Sequence, residues 1–276
     1  MENNRVLVPI DFTDITENAL KFAIGAARAV NSGIALLHII DKQELQPEAE
    51  DRLNAMIYKY NYAEVPMKSY TKVGKIYDGI GEAAEELGSG LIFMGTHGMK
   101  GMQFLLGSHA MRVVTNSKIP FIITQDRVPK NDSIDSIVMP VDLGSEEKQI
   151  LTAVIRAAKT FKAKVHLFVS KRNDEFHENA VNRNVAFAKR YLDEHEVEHT
   201  STRAISVDDY DAQLVRFADS IDADLIAIIN HREDGIKNLF GASFDQNIIT
   251  NKAKIPVLIM NTKDTTALND IFGVFG

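Results

Sequence analysis

The chain repeats itself, and that repeat limits its fold more than any single motif does. The segment "RVLVPIDFTDITENALKFAIGAARAVNSGIALLHII" (5 to 40) lies over "SIVMPVDLGSEEKQILTAVIRAAKTFKAKVHLFVS" (136 to 170), so that Pro9 and Asp11 fall on Pro140 and Asp142. Further on, "LIFMGTHGMKGMQFLLGSHAMRVVTNSKIPFIIT" (91 to 124) lies over "LIAIINHREDGIKNLFGASFDQNIITNKAKIPVLIM" (225 to 260). Leu91 meets Leu225, Gly107 meets Gly241, and the tails agree with one residue inserted. Two copies of one pattern in 276 residues give two domains, each large enough for its own core. The seam falls near 127 to 134, around "RVPKNDS", where proline and polar residues mark a linker. The expected division is 1–127, 134–264 and a tail, 265–276, with no counterpart in the first copy. That tail, "TTALNDIFGVFG", reads either as a short amphipathic segment docked on a neighbouring surface or as a frayed end.

Within the first copy, strand-like and helix-like stretches alternate. "RVLVPI" is a short continuous apolar run, as in a strand buried on both faces, and "ITENALKFAIGAARAV" carries apolar residues at helical spacing with Thr13 or Asp14 placed to cap it. "IALLHII" is again strand-like. A helix is expected around 47 to 61, a strand around 66 to 72, a helix around 75 to 87, the strand "GLIFMG", a helix from near Ser108, and the strand "PFIIT". Five alternations predict an α/β fold, two tandem five-stranded parallel sheets flanked by helices in a Rossmann-like arrangement. In such sheets ligands bind beyond the carboxyl ends of the strands, where the strand order reverses.

Two chemical features lie at those ends. Asp11 follows the first strand, and Gly95, Gly98 and Gly101 follow "GLIFM". Each added glycine raises the entropy lost on folding, so a run of them implies that something must approach the backbone closely. Bare N–H groups there, with the Ser108 hydroxyl at a helix start, suit the oxygens of a phosphate chain. Asp11 suits ribose hydroxyls or an adenine edge, and it equally suits a helix cap; its duplicate Asp142 keeps that second reading open. His97 and His109 bracket the loop with no base or nucleophile beside them, and Lys100 reads as a solvated loop lysine or a phosphate partner.

A net charge of −7 and a pI near 5.6 argue against general nucleic-acid binding. With no cysteine the chain has neither disulfides nor thiolate metal sites. "MENNRVLVPIDF" passes directly into a strand-like run without a secretory leader, and no stretch reaches the roughly 18 apolar residues of a membrane span, so a cytoplasmic protein without membrane association is expected. "HEVEH" (195 to 199) matches a zinc-protease pattern, which requires a helix. Here it aligns with "AEVPM" (63 to 67), where a helix ends and a strand begins, and four extended residues at ~3.3 Å each would hold the two histidines about 13 Å apart.

Taken together, "VPIDF", "LLHII" and "MGTHG" followed by "LLGSHAMRVV" resemble the nucleotide-binding members of the universal stress protein family, over nearly the whole chain as two fused copies. The resemblance implies a five-stranded parallel sheet with ATP, with or without Mg²⁺, lying across a loop written G-x-x-G, nine residues, then G followed by Ser or Thr. By motif position it implies that Pro9 and Asp11 flank the adenosine, that Ile39 offers backbone contacts to adenine, and that Met94, Gly95, Gly98, Gly107, Ser108 and His109 wrap ribose and phosphates. The chain has eight residues, "MKGMQFLL", where the family pattern has nine.

The second copy departs further: Ile229, Asn230, His231 and Arg232 stand where the first has Gly95, Thr96, His97 and Gly98, and Ala242 replaces Ser108. That half is expected not to bind ATP in the family manner and to pair with the first half. The function expected is a stress-response regulatory module in which nucleotide binding, read by an unidentified protein partner, is itself the activity; a homodimer is a further expectation. The alternatives are a slow ATP hydrolase or phosphotransferase and a scaffold that binds no nucleotide. The first alternative needs a γ-phosphate clamp and a group orienting the nucleophile, and no Walker loop is present.

Overall fold

The computed structural model describes residues 5–96, 114, 117, 119–127, 133–143, 147–230 and 247–261. They fall into two compact units, the first closing at Ser133 and the second opening at Ile134.

The first unit runs β1 (Arg5–Pro9), α1 (Asp14–Ala29), β2 (Ile34–Ile40), α2 (Gln46–Lys59), β3 (Met67–Val73), α3 (Ile76–Glu86), β4 (Ser89–Gly95) and β5 (Phe121–Thr124). The strands are ordered β3-β2-β1-β4-β5 and every pair is parallel. The chain therefore winds outward from β1 through β2 to β3, then returns to lay β4 on the other side of β1. That reversal puts the ends of β1 and β4 side by side, the place where such sheets hold ligands. β4 is buried along its whole length, as its unbroken apolar run requires. The helix expected from Ser108 lies outside the described residues.

α1 packs on the sheet through Ile15, Ala19, Leu20, Ala23, Ile24 and Ala27, a stripe at helical spacing. Thr13 is its N-cap, accepting from the amide of Thr16. At the solvent edge of this helix Glu17 Oε1 accepts from Lys59 Nζ and from the hydroxyl of Tyr60, each at 2.5 Å, tying α1 to the end of α2. The bond from Lys59, then that from Tyr60, holds the Glu17 carboxyl below its ordinary value. A depressed carboxyl contributes stability above its unfolded pKa of about 4.3 and loses it as the pH falls through the folded value. Glu17→Gln is accordingly expected to be less stable than the parent at pH 7, by about 1 kcal/mol. Thermal melts should show that gap closing below pH 4.

The second unit repeats the first: β6 (Ser136–Val141), α4 (Glu147–Phe161), β7 (Lys164–Val169), α5 (Glu175–Glu194), β8 (His199–Arg203), α6 (Tyr210–Ser220), β9 (Leu225–Asn230) and β10 (Val257–Asn261). Its order is β10-β9-β6-β7-β8, again all parallel. The duplication reaches the backbone. Asn31 and Lys162, Glu64 and Glu196, and Gly88 and Asp222 occupy matching positions, and all six have left-handed φ values between 50° and 61°. Glu196 lies inside "HEVEH": His195 caps α5 and His199 opens β8, so the two histidines do not share a helix face. The His195 ring contacts the Tyr191 carbonyl and that of His199 the Val197 carbonyl.

Candidate functional site

At the carboxyl end of β1 the chain turns sharply. Phe12 adopts a left-handed φ of 65°, which is strained for a bulky residue and tends to mark functional turns. Asp11 holds the turn: its Oδ1 accepts from the Thr13 amide at 3.0 Å, the Thr13 hydroxyl at 2.5 Å and the Thr16 hydroxyl at 2.9 Å. Asp11 thus organises the entry to α1 from two residues before the cap, while remaining exposed. Beside it, the Phe12 ring lies 4.7 Å from the His38 ring, and the Arg52 guanidinium sits over the same Phe12 ring, 3.8 Å from its centroid.

The β1–β2 ladder opens at this point. Its last bond runs from Ile10 N to Leu37 O at 2.8 Å. The next in sequence would run from Ile39 N to Ile10 O, but the Ile10 carbonyl is taken instead by His38 Nδ1 at 2.6 Å, which therefore carries the proton. Leu37 O faces β1 and Ile40 O faces β3, where it accepts from Gly74 N. Alternation along the strand turns the Ile39 amide and carbonyl toward the β1 side, past the end of the ladder.

The second unit closes the same gap. Val141 and Ser170 are the counterparts of Ile10 and Ile39, and Ser170 N donates to Val141 O at 2.9 Å. Asp142, the counterpart of Asp11, is gripped by Arg172 in a bidentate pair, and Oδ1 also accepts from Ser170 Oγ at 2.7 Å. Asn184 holds the Asp142 carbonyl at 2.6 Å. A second arginine, Arg203, pairs with Glu178 and reaches the Ser170 carbonyl at 3.2 Å. Sequence reasoning did not single out Arg172. Carrying the repeat alignment one residue beyond "LLHII" would have set it against Asp41, a reversal of charge at a strand's carboxyl end.

On the other flank of β1, Gly95 ends β4. A Cβ built there would stand 2.7 Å from the Ile15 carbonyl oxygen and 2.9 Å from the carbonyl carbon. Gly95 therefore has a packing reason of its own: α1 crosses β4 in contact with the bare backbone. Next to it Thr96 N donates to Thr124 O at 2.8 Å, and the hydroxyls of both threonines are buried without a hydrogen-bond partner among the described residues. Neither threonine was singled out in the sequence. Of the residues expected at the site, Pro9, Asp11, Ile39, Met94 and Gly95 sit at the carboxyl ends of β1, β2 and β4; Pro9 is half-buried and Met94 is buried. Gly98, Gly107, Ser108 and His109 lie outside the described residues, as do His97, Lys100 and most of their second-copy counterparts. No helix among the described residues is long and apolar enough to cross a membrane.

Comparison with known proteins bears on this geometry. A universal stress protein G from Shigella flexneri is 30% identical over 84 residues, covering 30% of this chain and 59% of that protein. Its Salmonella typhimurium namesake is 24% identical over 139 residues, 44% of this chain and 97% of its own. In three dimensions the chain is similar to a universal stress protein from Archaeoglobus fulgidus, with a TM-score of 0.74 over 95% of this chain and 100% of that one. At 17% sequence identity this likeness shows the fold alone. The universal stress protein family model matches residues 2–125 and again residues 133–261. Two successive matches that together span both units mean that the chain belongs to the universal stress protein family, as a tandem member.

Proposed function

We propose that the first half binds an adenine nucleotide, ATP with or without Mg²⁺, across the carboxyl ends of β1, β2 and β4. The second half does not bind nucleotide in the family manner. The observation that carries this reading is the difference between the two ladders. Adenine presents an adjacent acceptor and donor on one edge, which a strand amide and carbonyl facing the same way complement. Ile39 offers such a pair, whereas Ser170 has already donated its amide to Val141. Asp11 adds an exposed carboxylate suited to ribose hydroxyls, and its counterpart Asp142 is occupied by Arg172. For the phosphates, Gly98, Gly107, Ser108 and His109 are proposed on their motif positions.

The domains are proposed as 1–127 and 134–264, with 265–276 as a tail. The protein acts in the cytoplasm as a stress-response regulator whose nucleotide state is read by a protein partner. Paired asparagine variants test the assignment. Asn keeps the acceptor that organises the α1 turn but removes the charge. Asp11→Asn should therefore weaken ATP binding by about tenfold with little change in melting, and Asp142→Asn should leave ATP binding unchanged. Equal effects of the two substitutions on ATP affinity would contradict the assignment of binding to the first half.

A further inference from the structure

The two units differ at a second place, beside the edge strands β3 and β8. In the first unit, the gap between edge strand β3 and α3 is bridged by ion pairs: Lys72 Nζ lies 3.1 Å from Glu82 and 2.8 Å from Glu86. At the matching positions the second unit has Ala204, Arg216 and Ser220, so the whole cluster is gone and a positive side chain stands where Glu82 stood. Ala83, on the same helix, is replaced by Phe217, and Leu37 beneath it by Phe168.

What stands there in the second unit is an open cavity of about 420 Å³ between the end of β8 and α6. That volume lies within the range of small-molecule sites, which typically combine an apolar lining with a few fixed polar groups. Its floor is aromatic. Phe168 stacks between Tyr210, at 5.5 Å, and Phe217, at 5.2 Å. One wall is rigid, because Gln213 is almost fully buried and clamps the turn after β8. Its Oε1 accepts from the amides of Ile205 and Ser206, and its Nε2 donates to the carbonyls of Ser206 and Asp208. Arg203 also lines the cavity, held by Glu178 and Asn182. Arg216 lines it as well, is exposed, and has no ion pair or hydrogen bond among the described residues. At the rim, Lys171 Nζ is held 3.2 Å from the Ile205 carbonyl, which adds a further positive charge.

An aromatic floor, fixed walls and an uncommitted guanidinium on a chain of net charge −7 specify their occupant by complementarity. We propose that this cavity is a second ligand site, specific to the second half, that takes a small aromatic carboxylate: ring against Phe217 and the edge of Phe168, carboxylate on Arg216. The site is independent of the proposed nucleotide site and would hold whichever way that reading falls.

The test is calorimetric titration of the full chain with 2-naphthoate and, separately, with the neutral 2-naphthylmethanol. It is run with and without saturating ATP, on the parent and on Arg216→Glu, which installs the residue type found at the matching position of the first half. One saturable site for 2-naphthoate is expected, unaffected by ATP and weakened about tenfold or more both by loss of the ligand charge and by Arg216→Glu, with the melting temperature of the variant unchanged. Absence of saturable binding at millimolar ligand, equal affinity for the neutral analogue, unaltered affinity in Arg216→Glu, or displacement by ATP would each overturn the proposal.

Discussion

Replacing Gly95 with alanine should destabilise the protein by about 3 kcal/mol, the upper part of the range for overpacking a tight contact. The new Cβ would meet the backbone carbonyl of Ile15 at 2.7 Å, and a backbone carbonyl in the first turn of a helix cannot rotate aside as a side chain can. Relief requires moving α1 off β4. That displacement would loosen a stripe of small residues, Ala19, Ala23 and Ala27, whose size permits the close approach. Denaturant unfolding checks this: the midpoint should fall while the slope stays constant. A variant as stable as the parent would mean that α1 does not lie against β4 as described.

The second large effect concerns a different glycine in the same stretch. Gly98→Val should leave stability close to that of the parent and abolish ATP binding, because the proposed site has phosphate oxygens meet backbone N–H groups where a β-branched side chain would then stand. The two glycines are three residues apart in the sequence and look alike there, yet they separate on two readouts. Gly95 acts through packing and should register in unfolding; Gly98 is assigned to the ligand and should register in titration. In a simple strand-to-helix turn, by contrast, Gly98→Val would change stability and have no ligand to lose.

Much of the fold was legible because its signals are local. The apolar runs of β1, β2 and β4 and the helical spacing of α1 need no partner to be recognised, and each element lies within one or two residues of where the pattern puts it. The duplication extends the same alternation to the second unit, which repeats the element order of the first. The site was legible only in part, for the opposite reason. Asp11 and the glycines show as a motif, but the open amide of Ile39 depends on His38 capturing a carbonyl 28 residues earlier. Likewise, the locking of Asp142 depends on an arginine 30 residues later. Hydrogen bonds of that span leave no periodic trace. Nor did the motif distinguish a glycine required by Ile15 from one required by a phosphate, because both needs select the same residue.

The same long-range logic separates the halves. A duplicated domain whose second copy had only decayed would be expected to lose contacts at the site. Here, Arg172, Ser170 and Asn184 converge on Asp142 and stabilise the crevice without a ligand. One half is therefore read as retaining an open ladder and the other as having closed it.

The proposed single nucleotide site per chain, in the first half, can be checked by calorimetric titration of the nucleotide-stripped protein with ATP and Mg²⁺, alongside Gly98→Val. A stoichiometry of one ATP per chain is expected in the parent and no binding in the variant. No heat in the parent, or two sites per chain, would contradict it.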